Sequence, residues 1–128
     1  MAELRRICKC NVCGNIVVVL HAGVDKLVCC GQPMQLIEER GEGVEGWEKH
    51  VPVVGRVGDE VKVKVGSVAH PMEEGHFIEW VELETNGQAC KVFLKPGMDP
   101  EASFRVGGGK MIVKAYCDLH GLWVKESG

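Results

Sequence analysis

The chain has 128 residues, with 15 Lys and Arg against 18 Asp and Glu and a formal charge of −3 at pH 7. So even a balance provides no basic stripe for phosphate contacts, which argues against a nucleic-acid partner, and an apolar content of 45% separates the chain from disordered sequences. No apolar run approaches the roughly 18 residues that span a bilayer, and Met1–Lys9 lacks the basic-then-apolar order of an export signal, so a cytoplasmic protein with no membrane partner is expected.

Five of the seven cysteines, Cys8, Cys10, Cys13, Cys29 and Cys30, fall in the first 30 residues. An odd number in a reducing compartment favours metal ligation over a disulfide framework. Cys10-x-x-Cys13, then fifteen residues, then Cys29-Cys30 supplies four thiolates at a separation typical of a tetrahedral all-sulfur site for iron or zinc. Three readings stay open from the residues: a zinc staple, an iron centre that passes one electron, and a redox disulfide. Neighbouring side chains normally diverge, so Cys29 and Cys30 reach one ion only if the backbone bends sharply, which Gly31 permits. Cys8 reads as a thiol outside the ligand set. The one apolar run here, Ile16 to Leu20, suits a metal-stapled knuckle and hairpin better than a packed domain.

Residues 1–38 are therefore expected to form a small metal domain. The polar, glycine-rich stretch from Glu38 to Gly46 marks a linker, taken as 39–47, and a second domain follows over 48–128. In that domain Val61, Val63 and Val65 alternate with Lys62 and Lys64, the period-2 pattern of a strand with one buried face. Further strands are predicted over 51–57, 76–85, 89–95, 102–106, 110–116 and 122–125. Asn86-Gly87 suits a two-residue hairpin and Pro96-Gly97 a type II turn. Twenty valines against six alanines favour pleated surfaces over helices. The fold class is mainly β, with about seven short strands reading as a β-sandwich. Cys90 falls within a strand.

Four of the five histidines lie in this second domain: His50, His70, His76 and His120. His21 reads as an ordinary solvated side chain. Cys117-x-x-His120 is a compact turn offering two ligands of mixed softness, and Pro71 keeps His70 extended by disfavouring the helical region before it. The step from His70 to His76 is long enough for a loop to return to one ion. Four neutral imidazoles and one thiolate leave one position open on a six-coordinate iron, as reaction with a small ligand requires. Ferrous iron with one thiolate carries a net positive charge, and Lys49 beside His50 adds another, so an anion is drawn in. From the residues alone, Glu48 and Lys49 read as a solvated charge pair ahead of any functional role.

The segments Lys9–Val17, Leu27–Met34, Glu48–Val53, Lys62–Met72 and Tyr116–Gly121 resemble the desulfoferrodoxin family, the two-iron superoxide reductases, over essentially the whole length. The resemblance implies a rubredoxin- or desulforedoxin-like knuckle in which Cys10, Cys13, Cys29 and Cys30 hold one iron, followed by an immunoglobulin-like seven-stranded β-sandwich. There His50, His70, His76 and His120 would surround a second iron, with Cys117 axial. It further implies Lys49 as the residue that assists the anion and its protonation, and Glu48 as a displaceable sixth ligand of the oxidised iron. The implied reaction is one-electron reduction of superoxide to hydrogen peroxide without dioxygen release. The implied partners are a rubredoxin-type electron donor and a second copy of the chain. Trp47, just ahead of Glu48, stands where it can alter access to the open face.

Overall fold

A computed structural model of the chain describes residues 5–24 and 26–127, which fall into two compact units divided between Glu38 and Glu39.

The first unit is built from five very short strands: β1 (Ile7–Lys9), β2 (Ile16–Val18), β3 (Val28–Cys29), β4 (Gln32–Pro33) and β5 (Gln35–Leu36). They form a three-stranded sheet in the order β2-β1-β5 and a separate β3-β4 pair. Among the described residues the buried apolar side chains are few, Ile7, Cys8, Cys10 and Val19, whereas Leu20 and Val24 are 82% and 93% exposed. A core this small contributes little, since fully burying one such side chain stabilises by about 1.5–3 kcal/mol. The unit therefore depends on a staple of another kind.

The second unit is a two-layer β-sandwich. Its strands are β6 (Glu39–Arg40), β7 (Pro52–Val57), β8 (Glu60–Val65), β9 (Ile78–Thr85), β10 (Gln88–Phe93), β11 (Glu101–Arg105), β12 (Met111–Cys117) and β13 (Gly121–Ser127), with one four-residue helix, α1 (Trp47–His50). One sheet runs β10-β9-β12-β13-β6 and the other β11-β8-β7. All seven strands expected from the sequence are present. Glu39 and Arg40, placed in the linker on composition, form an eighth, pairing in parallel with Leu122 and Trp123.

The alternation in β8 has its expected effect: Val61, Val63 and Val65 are buried and Lys62 and Lys64 are not. They share one core with Val81 and Leu83 of β9 and Val113, Ala115 and Cys117 of β12, so the core runs directly up to a candidate ligand, Cys117. Asn86 and Gly87 both take positive φ, 46° and 77°, as a type I′ hairpin turn between β9 and β10 requires.

The other face of the larger sheet carries buried charge. Lys114 Nζ pairs with Glu39 at 2.9 Å and Glu84 at 3.4 Å, and Lys91 pairs with Glu82 at 2.9 Å. Trp80 stacks on Tyr116 beside them, with ring centroids 4.5 Å apart.

Candidate metal centres

In the first unit the chain turns tightly at Cys10–Gly14, where the Gly14 N–H donates to Cys10 O. This turn aims the N–H groups of Val12 and Cys13 at Cys10 Sγ, each at 3.4 Å. Those two donors hold the Cys10 thiol down at about 6. Shared hydrogen bonds with Cys13, Cys10 and Cys30 push the Cys29 thiol up to about 12. The pocket thus favours a thiolate at Cys10 and a thiol at Cys29, whereas a coordinated cation ionises all four.

The bend that brings Cys30 round is sharper than expected. It begins at Cys30 itself, φ 53°, and continues through Gly31, φ 74°. A left-handed non-glycine residue costs about 1–2 kcal/mol, which the rest of the site must offset. The Sγ atoms of Cys10, Cys13, Cys29 and Cys30 all lie within 4.8 Å of one another. Cys13 and Cys29 are 3.6 Å apart and Cys29 and Cys30 are 3.9 Å apart. Four sulfurs about 2.3 Å from one tetrahedral ion sit about 3.8 Å from each other, so the pocket fits such an ion. Cys8 is buried in β1, outside this set.

In the second unit, α1 delivers the first histidine. Gly46 precedes the helix at φ 84°, and Pro52 ends it by forcing Val51 to extended geometry. His50 Nδ1 lies 2.8 Å from Gly46 O, which fixes the proton on Nδ1 and leaves Nε2 as an acceptor. His70 repeats the arrangement with Nδ1 2.7 Å from Pro71 O. Burial lowers the affinity of both rings for a second proton, to about 4 for His70. Both are therefore neutral near pH 7, the form that ligates.

His76 returns to the same place through the tight turn Glu73–His76, closed by two backbone hydrogen bonds of 3.0 Å. Asp118 secures that return: its Oδ1 accepts from Phe77 N at 3.0 Å while its own N–H donates to Phe77 O at 3.2 Å. Cys117 ends β12 at a register shift, fully buried, and His120 follows at the exposed turn into β13. Burial pushes the Cys117 thiol up, while the N–H groups of His120 and Leu119 pull the other way by donating to its sulfur.

The four imidazoles close a square. Neighbouring ring centroids are 4.7 Å apart for His50 and His70, 4.7 Å for His70 and His76, 4.9 Å for His76 and His120, and 5.0 Å for His120 and His50. Each neighbouring pair is twisted edge-on by 68–81°. Together with Cys117 Sγ, one donor atom from each ring lies within 4.8 Å of all the others. His76 Nε2 is buried with no hydrogen-bond partner among the described residues, and an orphaned ring nitrogen in such a cluster is what a cation satisfies. The sulfur enters from the core and His120 is exposed, so the cluster lies between the core and the surface.

Glu48 and Lys49 are exposed side chains on α1, immediately before His50. Their main chain, not their side chains, is what the fold grips. Glu48 O accepts from Val68 N at 3.1 Å and from Ser67 Oγ at 3.2 Å, and Gly66, φ 87°, packs against Lys49 O. Trp47 is half-buried at the start of the helix, and Cys90 is a half-buried strand residue packed on the core.

A thiolate knuckle followed by a sandwich that carries four imidazoles and a thiolate defines a two-centre redox metalloprotein. Comparison with known proteins agrees at both centres. The family model Desulfoferrodoxin matches residues 42–126 and the model Desulfoferrodoxin, N-terminal domain, matches residues 2–37. A desulfoferrodoxin homologue of Archaeoglobus fulgidus is 55% identical over 96% of this chain and 98% of its own length. A desulfoferrodoxin of Nitratidesulfovibrio vulgaris is 54% identical over 99% of this chain and 100% of its own. The crystal structure of the superoxide reductase from Treponema pallidum superposes with a TM-score of 0.78 at 29% identity, covering 94% of this chain and 96% of that one. The chain belongs to the desulfoferrodoxin family. Its two donor sets are two iron sites, one a tetrathiolate and one of four imidazoles and a thiolate.

Sequence reasoning did not single out Asp118, Gly66, Ser67, Trp123 or Arg40. Asp118 lies inside the Cys117–His120 turn and Gly66 at a strand end, positions that invite attention; Arg40 has no local signal at all.

Proposed function

We propose that this protein is a superoxide reductase: it reduces superoxide to hydrogen peroxide with one electron and two protons and releases no dioxygen. The observation that carries the reading is the closed square of four histidines joined by a buried cysteine, with His120 at the surface, in a chain of the desulfoferrodoxin family. His50, His70, His76, Cys117 and His120 are the ligands of the reactive iron, and Cys10, Cys13, Cys29 and Cys30 are those of the other. Residues 39–128, which take β6 and α1 from the stretch read as a linker, are the catalytic domain and 1–38 the tetrathiolate domain.

When bound, the iron supplies the electron and an open coordination position. The chain supplies the rest. Nδ1 contacts to Gly46 O and Pro71 O hold the His50 and His70 rings so that Nε2 faces inward. The Leu119 and His120 N–H groups withdraw density from Cys117 Sγ and so moderate its donation. Lys49 draws the anion toward the open side and provides a proton to the reduced product, directly or through a water. Glu48 closes the open side in the oxidised protein and yields it to substrate.

A rubredoxin-type protein is the electron donor, and the exposed Leu20, Val24 and Val28 of the first unit suit burial against a second copy in a homodimer. Among the described residues no helix is long and apolar enough to cross a membrane. The even charge balance gives nucleic acid no footing, and the thiol-rich composition suits the cytoplasm.

Azide or cyanide tests the open position directly. Either anion is expected to shift the absorption of the oxidised histidine-thiolate centre and leave the tetrathiolate absorption unchanged. A site that ignores both anions is coordinatively closed, and the chain would then be an electron carrier.

A further inference from the structure

His120 is the one exposed donor of the five, and it is steadied from behind. Its carbonyl oxygen accepts two hydrogen bonds, from Arg40 Nη1 at 2.9 Å and from Trp123 Nε1 at 3.1 Å. The Arg40 guanidinium also lies over the Trp123 ring, 5.9 Å from its centroid. Trp123, 1% exposed, stacks on His50 with centroids 4.7 Å and planes 18° apart. One indole therefore touches two neighbouring imidazoles of the square, one through its face and one through the carbonyl it donates to. One guanidinium holds both the indole and that carbonyl.

The arrangement follows from register. The parallel pairing of β6 with β13 sets Arg40 opposite Trp123, and Gly121, φ 85°, turns the chain so that the His120 carbonyl comes within reach. A guanidinium suits this place because it donates in its plane while presenting its face to an aromatic ring, which an ammonium does not match.

We propose that Arg40 is a positioning residue for the histidine-thiolate centre, fixing the His120 main chain and the Trp123 ring and through them the His120 and His50 imidazoles. This rests on the reading of His120 and His50 as iron ligands. Arg40 has a second effect there: its permanent positive charge opposes the more positive, oxidised state of the nearby iron, so its loss lowers the reduction potential.

The test uses the full-length, iron-loaded protein and the variants Arg40→Ala, Arg40→Lys and Trp123→Phe. The readouts are the absorption and electron paramagnetic resonance of the oxidised histidine-ligated iron, its midpoint potential, and its retention against a chelator. Arg40→Ala is expected to change the resonance line shape, lower the potential and weaken iron retention about 10-fold, with the tetrathiolate spectrum unchanged. Arg40→Lys restores the potential more fully than the line shape, because it returns the charge but not the planar fork. Trp123→Phe keeps the stack on His50, deletes the donor to His120 and shifts the same signals to a smaller extent. Wild-type spectrum, potential and retention in Arg40→Ala would overturn the proposal. Should that variant fail to fold, wild-type signals in both Arg40→Lys and Trp123→Phe would do the same. A His120→Ala variant that kept the wild-type spectrum of this centre would instead overturn the ligand assignment beneath it.

Discussion

His50 Nε2 and His70 Nε2 face each other at 3.1 Å, and neither carries a proton, because each ring commits its Nδ1–H to a backbone carbonyl. Two lone pairs at that distance repel; two nitrogens each about 2.1 Å from one ion at right angles lie about 3.0 Å apart and do not. The fold thus holds two acceptors in a geometry that only a shared cation makes favourable.

Metal removal is therefore expected to destabilise the protein. A ligand present at about 100 times its Kd stabilises by about 2.7 kcal/mol, and on a unit of this size that corresponds to roughly 10 °C or more in melting temperature. Circular dichroism melts of the iron-loaded and chelator-stripped protein measure the difference, and equal midpoints would contradict it.

Gly66→Ala is expected to be severe although Gly66 ligates nothing. A Cβ there would stand 2.3 Å from Val68 O and 2.6 Å from Lys49 O, on a backbone at φ 87°. The loop must move, releasing the grip on Glu48 and Lys49. A loss of about 2–3 kcal/mol in denaturant unfolding is expected, together with slower reaction with superoxide. An unchanged unfolding midpoint would show that the loop yields without cost.

Much of this was legible in the sequence because it is written in local patterns. Alternating valines mark β8, Asn86-Gly87 marks the hairpin, and the paired cysteines and clustered histidines announce two donor sets. What escaped is non-local. Arg40 reads as linker because its worth comes from a two-residue parallel pairing with a strand about 80 positions later. Nothing local marks Lys114 for burial, yet it is 5% exposed among three glutamates that arrive from two other strands. Even the bend at the paired cysteines is not the work of Gly31 alone, since Cys30 shares it.

Lys114 also provides a pH test. Burial works against its charge, but Glu39 first, and then Glu84 and Glu82, outweigh it and raise its pKa above the ordinary value of 10.5. A group whose folded pKa is raised contributes stability that is fully present below its unfolded pKa and is lost as pH rises through the folded one. Stability in the wild type is therefore expected to fall above about pH 10.5 by an amount that Lys114→Met does not show. Near neutral pH the same variant takes the Lys114 ammonium from the largely buried Glu84 and costs about 3 kcal/mol. Denaturant titrations of both proteins at about pH 8 and about pH 11 check both signs.

Lys49 and Glu48 are separable. Lys49→Ala is expected to slow the reaction with superoxide about 10-fold or more and to flatten its dependence on ionic strength, since the attracting charge is gone. Glu48→Ala is expected to change the absorption of the oxidised histidine-thiolate centre while leaving the encounter rate largely intact. The two outcomes exchanged, or both variants matching wild type, would remove the assigned roles.

The most direct test of the central claim is anaerobic stopped-flow mixing of the reduced, iron-loaded protein with superoxide, following absorbance together with peroxide and dioxygen yields. A superoxide reductase oxidises its histidine-ligated iron rapidly and forms one peroxide for each superoxide consumed, with no dioxygen from that step. Dioxygen released in proportion to peroxide would mean dismutation, and an absence of any transient at the histidine-thiolate centre would mean that superoxide is not its substrate.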